Sequence, residues 1–491
     1  MSNHIKKLAG QTVIYGLSSV VPRFLNYLLV PLHLGVFQSS EYGVVTDIYA
    51  YVTFLVILLT YGMETGFFRF SQMEPKNSTN KVYGTVFISL VSSSFLFIAA
   101  MMVFAAPLAA KMQYADHPEY LIWFGWILGL DAISAVSFAR FRIDGRPLRF
   151  AFFKIGNVTI NVLLTLFFLW FCPKYADNRW IQTVYSPETG VGYVFIANLI
   201  ASVATIVMLL PEIFRHRISF DFGLWKRIVA YSLPLMAGGL AGNVIENFDK
   251  ALLKYRLSET GVEPMAQVGV YGANIKLAVL MTLFIQMFRY AAEPFFFNNA
   301  KEKDSRKTIA ELMKYFIIFC LLIFLGVTLY IDVIKYFIRS PEYWEGLTVV
   351  PIILLAFMCL GIYYNLTIWF KLTNQTKYGL IIAFIGAIIS ITSNWLLIPV
   401  WGYHASAWTH LVCYLVMICI TWRLGQRHYP IPYPLKRIAF YVFFAISLYI
   451  IASLTKVENL LINFLKNTII FVIFVFFINR KENLLKQIFL K

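Results

Sequence analysis

The sequence predicts an all-α polytopic membrane protein of about 14 transmembrane helices, arranged as two pseudo-symmetric six-helix lobes plus two C-terminal helices. Three observations carry this. Of 491 residues, 59% are hydrophobic and only 14% charged, with a mean hydropathy of +0.69. A soluble domain carries roughly 25% charged residues, so this chain cannot cover a water-facing surface. Apolar runs of bilayer length recur along the whole chain, without the polar–apolar alternation of a membrane β-barrel. Finally, the order of local patterns in the first half returns in the second.

A helix rising 1.5 Å per residue needs about 20 apolar residues to span the hydrocarbon core. Such runs lie near 11–34, 44–70, 82–106, 119–140, 150–172 and 191–211 in the first half. They continue near 224–246, 267–293, 310–331, 346–370, 378–400 and 403–423, then 436–454 and 460–479. The opening "MSNHIKKLAGQTVIYGLSS" lacks a compact apolar core followed by a small-residue cleavage site, so the first segment is expected to be retained. Cys172, Cys320, Cys359, Cys413 and Cys419 fall in or beside apolar runs without metal-type spacing, and read as buried small hydrophobes. No connection is long enough for a folded soluble domain, and none holds a P-loop, an HExxH or a Cys/His cluster.

Lysine and arginine set the orientation. The connections on the N-terminal side are rich in them, with Arg140, Arg142, Arg146, Arg149 and Lys154 in one alone. The opposite side, with Lys111, Lys174, Arg179, Lys250, Lys254 and Arg256 among its cations, carries well under half as many. Both termini are therefore expected in the cytoplasm. The net charge of +17 is mostly this bias plus attraction to anionic membrane lipid, which leaves no case for nucleic acid.

The internal duplication runs through six segments in order. "YGLSSVVPRFLNY" from Tyr15 returns as "YSLPLMAGGLAGN" from Tyr231, and "EYGVV" at Glu41 returns as "QVGVYG" at Gln267. "ETGFF" at Glu64 matches "EPFFF" at Glu293, and "GYVFIANL" matches "GYHASAWT". The predicted organisation is a first lobe over 1–222, a second over 223–430, and two extra helices with a tail over 431–491.

The exit "FRIDGRPLRFAFF", the hairpin "NWLLIPVWGYHASAWTHLV" and the second segment "SSEYGVVTDIYAYVTFLVILLTYGMETGFFRF" resemble a known group. It is the polysaccharide-transport branch, with Wzx-type oligosaccharide flippases, of the multidrug/oligosaccharidyl-lipid/polysaccharide exporter superfamily. The resemblance covers essentially the whole chain. It implies two lobes enclosing a central cavity, alternating access, and a polyprenyl-diphosphate-linked sugar as cargo. It also implies residence in a bacterial cytoplasmic (inner) membrane, with a polymerase and glycosyltransferases of the same pathway as partners.

Charges within the apolar runs are the candidate site. Arg23 lies about 12 residues into its segment, or ~18 Å along the axis, too deep for easy snorkelling. Pro22 and Pro31 flank it and can loosen the helix. Given the family's cationic cavity, Arg23 is expected to grip phosphate oxygens bidentately; the alternative is neutralisation by a carboxylate on another helix. Lys276, near mid-depth without an acidic residue three or four positions away, is expected on a cavity wall or paired with Asp131. Arg289 is spaced to pair with Glu293 on one helix face, and is otherwise substrate-facing. Asp131 is the lone mid-membrane carboxylate of the first half. It either exchanges a proton or holds a cation, or else serves as fixed partner of Arg23 or Lys276. Glu64, and Glu246 with Asp249, read as interfacial. His404 and His410 read as hydrogen-bonded packing, and Asn157, Asn161, Asn365 and Asn394 as helix cross-links.

The expected function is that of a flippase, turning a lipid-linked oligosaccharide (an O-antigen, capsule or exopolysaccharide unit) to the outer leaflet without covalent chemistry. No catalytic residue, metal or cofactor is expected; coupling to a proton or sodium gradient is left open. A lipid II flippase is a near competitor. A cation-coupled multidrug exporter is disfavoured because mid-membrane cations outnumber anions. An integral-membrane glycan enzyme is disfavoured because no large extramembrane loop exists to hold its acids or metal ligands.

Overall fold

Inside hydrocarbon every backbone N–H and C=O needs a partner within the chain, and a long apolar run meets that demand as a helix. The computed structural model describes residues 16, 18, 20–73, 79–216, 218–298 and 304–483, and among them there is no strand. The helices are α1 (Val20–Val36), α2 (Ser39–Met73), α3 (Thr79–Lys111), α4 (Pro118–Ile143) and α5 (Pro147–Lys174). Next come α6 (Gly192–Phe214), α7 (Phe222–Leu257), and α8, formed by Pro264–Leu277 and Val279–Asn298. The chain continues through α9 (Ser305–Leu329), α10 (Pro341–Leu372), α11 (Lys377–Trp401), α12 (Tyr403–His428), α13 (Leu435–Leu454) and α14 (Leu460–Glu482). Among the described residues, 12 helices are long and apolar enough to cross a membrane, and 13 if the two pieces of α8, bent by 50°, form one span. α1 is shorter, and the beginning of its predicted segment lies outside the described residues. Every predicted segment thus has its helix.

The chain divides into two compact units, Met1–Lys254 and Tyr255–Lys491. The sequence reading starts a second lobe at 223; in the structure α7 packs with the first unit. Its Leu224 and Ile228 share a core with Met63, Phe67, Tyr83 and Val86. Asp221 caps its first turn, accepting from the Leu224 N–H at 2.6 Å. The Lys81 ammonium, 2.6 Å away, and that backbone bond hold the Asp221 carboxyl below the usual range.

Two local features shape the first unit. Gly125 and Gly129 of α4 lie one turn apart, and a Cβ on them would come within 2.7 Å of Met101 and 2.6 Å of Ile98 on α3. This small-residue spacing lets the two helices approach closely. α2 is interrupted at Tyr61 and Gly62, with φ of 32° and 71°. A tyrosine in the left-handed region is strained, and its hydroxyl is held 2.5 Å from the Ser89 Oγ.

The interior of this unit is not all apolar. Lys254, near the end of α7, is fully buried and pairs at 2.9 Å with the equally buried Asp47 of α2. The Tyr114 hydroxyl donates to the same carboxylate oxygen at 2.6 Å, and its ring lies 3.6 Å from the ammonium. Lys254 also donates to the Met112 carbonyl. Lys254 is therefore an interior residue of a helix, not the connecting-loop cation that the sequence suggested. Asp249 differs likewise: it is fully buried and paired with Lys250 at 3.3 Å, whereas Glu246 is exposed as an interfacial residue would be.

In the second unit α10 packs against α12, α12 against α11, and α9 against α10, α13 and α14. Of the cysteines, four are buried as expected, but Cys419 on α12 is exposed.

Candidate functional site

The charged site of the first unit is assembled from α1, α2, α4, α5 and α6. α1 loosens at Leu29, where bonds run from Leu29 N–H to the Asn26 carbonyl and from Leu32 N–H to the Leu29 carbonyl. Pro31, just beyond, has no N–H to continue the ladder. On this helix Pro22 is buried while Arg23 is exposed. Among the described residues no carboxylate lies within ion-pair distance of Arg23, so the expected alternative of a fixed acidic partner is not what the structure places there.

Asp131 of α4 is also exposed, although its helix packs against α2, α3 and α6. Its Oδ1 accepts a hydrogen bond from the Ser202 Oγ of α6 at 2.9 Å. Among the described residues neither Arg23 nor another cation forms an ion pair with it at that position. One further cation belongs here. Lys154, counted from the sequence as a loop residue, sits two turns inside α5, exposed, with its ammonium 4.4 Å from the centroid of the Phe138 ring. It lies within Coulombic reach of Asp131, Glu64, Arg142 and Arg23. Glu64 and Arg142 pair with each other at 2.9 Å. Among the described residues that leaves Arg23 and Lys154 near one carboxylate not engaged in an ion pair, Asp131, an excess of positive charge among these apolar helices. Charged groups at such depth face water or cargo, or are matched by one another.

In the second unit Lys276 occupies the last turn of the first piece of α8 and is half-buried. Arg289, on the second piece, is exposed. Its guanidinium lies 4.7 Å from the centroid of the Tyr364 ring, and it lines a small pocket with Phe288, Tyr364, Asn365 and Lys371. The pairing expected between Arg289 and Glu293 involves a side chain outside the described residues. Among the other polar candidates, Asn157 does link helices, donating to Thr205 Oγ1 at 2.8 Å and to the Ala201 carbonyl. Asn365 and Asn394 instead donate to carbonyls four residues back on their own helices. His404 bonds Thr348 at 2.9 Å as a packing residue would. No cluster of three or more metal-ligating side chains occurs among the described residues.

Among the described residues the fold is that of a polytopic α-helical membrane protein with charged side chains carried on its helices. Residues 8–300 match the family described as "Polysaccharide biosynthesis protein", and the chain belongs to that family. No curated protein sequence matches it. Among solved structures, the lipid II flippase MurJ in an inward closed conformation is similar, with a TM-score of 0.73 at 12% identity, over 96% of this chain and 99% of that one. An inward-facing multidrug resistance MATE transporter gives 0.65 at 12% identity, over 84% and 97%. A MOP superfamily transporter from Pyrococcus furiosus gives 0.57 at 12% identity, over 85% and 96%. The resemblance seen in the sequence therefore stands at the level of family and fold.

Proposed function

We propose that this protein flips a polyprenyl-diphosphate-linked oligosaccharide from the cytoplasmic to the outer leaflet of a bacterial cytoplasmic membrane, with both termini cytoplasmic. The carrying observation is Arg23, exposed on an apolar helix, within Coulombic reach of Lys154 and without an ion-paired carboxylate among the described residues. A diphosphate brings about two negative charges, and taking them through a low-dielectric region without compensation costs several kcal/mol per charge. A guanidinium and an ammonium on neighbouring helices offset that cost, and the guanidinium fork fits phosphate oxygens. Lys276 and Arg289 are proposed to present the second unit's charge to the same kind of cargo. Family membership supports a glycan as the sugar part, and no covalent step is required of any residue. Asp131 is proposed as the group that couples transport to a proton or sodium gradient. A polymerase and glycosyltransferases acting before and after translocation are the proposed partners.

The test is surface glycan measured beside membrane-protein abundance. Arg23→Ala and Lys154→Gln should each lower surface glycan about tenfold or more, equivalent to ~1.4 kcal/mol of lost head-group interaction, at unchanged abundance. Arg23→Lys should retain partial activity, because the charge survives and the fork does not. Full transport by Arg23→Ala at normal abundance would overturn the reading.

A further inference from the structure

Two adjoining cavities lie where α13 begins and α14 ends, far in sequence from the charged site of the first unit. The first, about 530 Å³, is lined by Lys436, Arg437, Phe440 and Tyr441 of α13 and by Phe477, Lys481 and Glu482 of α14. The second, about 720 Å³, runs along α14 past Ile469, Val472, Ile473 and Phe476 to Arg480 and Lys481. Phe477 and Lys481 line both, so an apolar track leads into a basic pocket.

The charges do not cancel. Lys436, Arg437, Arg480 and Lys481 are exposed, and none is in an ion pair among the described residues. Glu482, the one carboxylate among the described lining residues, is buried and engaged on both oxygens. Its Oε2 accepts from Lys314 of α9 at 2.5 Å and its Oε1 from the Tyr441 hydroxyl at 2.5 Å. The acid on the floor is thus neutralised from inside, leaving the rim positive. Along the track, residues 469 to 477 rise about 12 Å, close to the ~15 Å of one hydrocarbon leaflet. A single-leaflet tail ending in a phosphate matches both dimensions and charge, as basic pockets between membrane helices do for anionic lipid head groups.

We propose that this is a binding site for an anionic glycerophospholipid of the surrounding membrane. Its phosphodiester sits among Lys436, Arg437, Arg480 and Lys481, and one acyl chain lies along 469–477. The proposal is independent of what the protein transports.

The test uses the full chain in nanodiscs of phosphatidylcholine, doped with phosphatidylglycerol carrying a photoactivatable diazirine on its acyl chain. After illumination and digestion, the label is expected on the peptide covering 469–477, several-fold above that left by a phosphatidylcholine probe with the same chain. Each basic residue near an anionic lipid contributes roughly fivefold, so Lys436→Gln/Arg437→Gln should lower subsaturating labelling about 25-fold. Excess inorganic phosphate should not compete. Equal labelling by the two probes overturns the proposal without recourse to any variant. Competition by free phosphate, or displacement of the probe by equimolar polyprenyl phosphate, overturns it as well.

Discussion

Arg23 and Asp131 were legible because each interrupts an apolar run and the energetic cost of a charge at that depth is several kcal/mol. Lys154 was not. It sits two turns inside α5, but close enough to Arg146 and Arg149 to be counted with the loop, and hydropathy cannot tell a helix start from a connection to within two turns. Its cue was local: Pro147 starts the helix seven residues earlier, as proline at a first turn often does. The partner of Asp131 was also illegible, since a serine such as Ser202 looks the same to a sequence reader whether it faces lipid or a carboxylate. The geometry gives Asp131 a hydrogen bond it can keep in either protonation state, because a hydroxyl both donates and accepts. Asp131→Asn should therefore leave protein abundance unchanged and weaken the dependence of transport on an imposed proton or sodium gradient. Transport with unaltered gradient dependence in that variant would assign Asp131 a purely structural role.

At the scale of elements, hydropathy located the helices well and their interruptions poorly. The break in α2 falls at Tyr61 and Gly62, and that in α8 at Leu277 and Ala278. Neither contains a proline, and both lie in stretches apolar enough to read as continuous. The close α3–α4 contact has a visible sign in the one-turn spacing of Gly125 and Gly129. The burial of Lys254 had none, because a lysine near a helix end ordinarily snorkels to water. Its pair with Asp47 ties α7 to α2 and carries a stability prediction. Lys254→Met strands the buried Asp47 charge and should cost about 3–5 kcal/mol, seen as a lowered unfolding midpoint of the purified protein and reduced membrane abundance. Asp47→Leu/Lys254→Met removes both charges and should recover most of that loss. If the double variant is as unstable as the single one, the stranded charge is not the cause.

For the whole molecule, the composition, the spacing of apolar runs and the quoted motifs were enough to reach the all-α polytopic class and the family. Leu224 and Ile228 of α7 share a core with residues of α2 and α3, a pairing that no sequence pattern announces. The lysine and arginine bias makes a statement about orientation that can be measured directly. In a variant lacking native cysteines, Ser186→Cys, in the connection before α6, should react with a membrane-impermeant thiol reagent on intact cells. Ser219→Cys, in the connection before α7, should react only after permeabilisation. Both sites are exposed in the structure. The reverse pattern would invert the topology and place the two ends of the chain outside.

The break in α8 has a consequence for Lys276. On a straight helix, the height of a side chain in the bilayer is fixed by its position in the chain. Lys276 stands two residues before Ala278, where the axis turns by 50° and i→i+3 bonds, Ala278 N–H to the Ile275 carbonyl and Met281 N–H to the Ala278 carbonyl, replace part of the regular ladder. Its ammonium is mounted on a joint. A change of a few degrees there would raise or lower a positive charge against the hydrocarbon with no change to the residue itself, so the electrostatic depth of this lysine is a mechanical property of the helix that bears it.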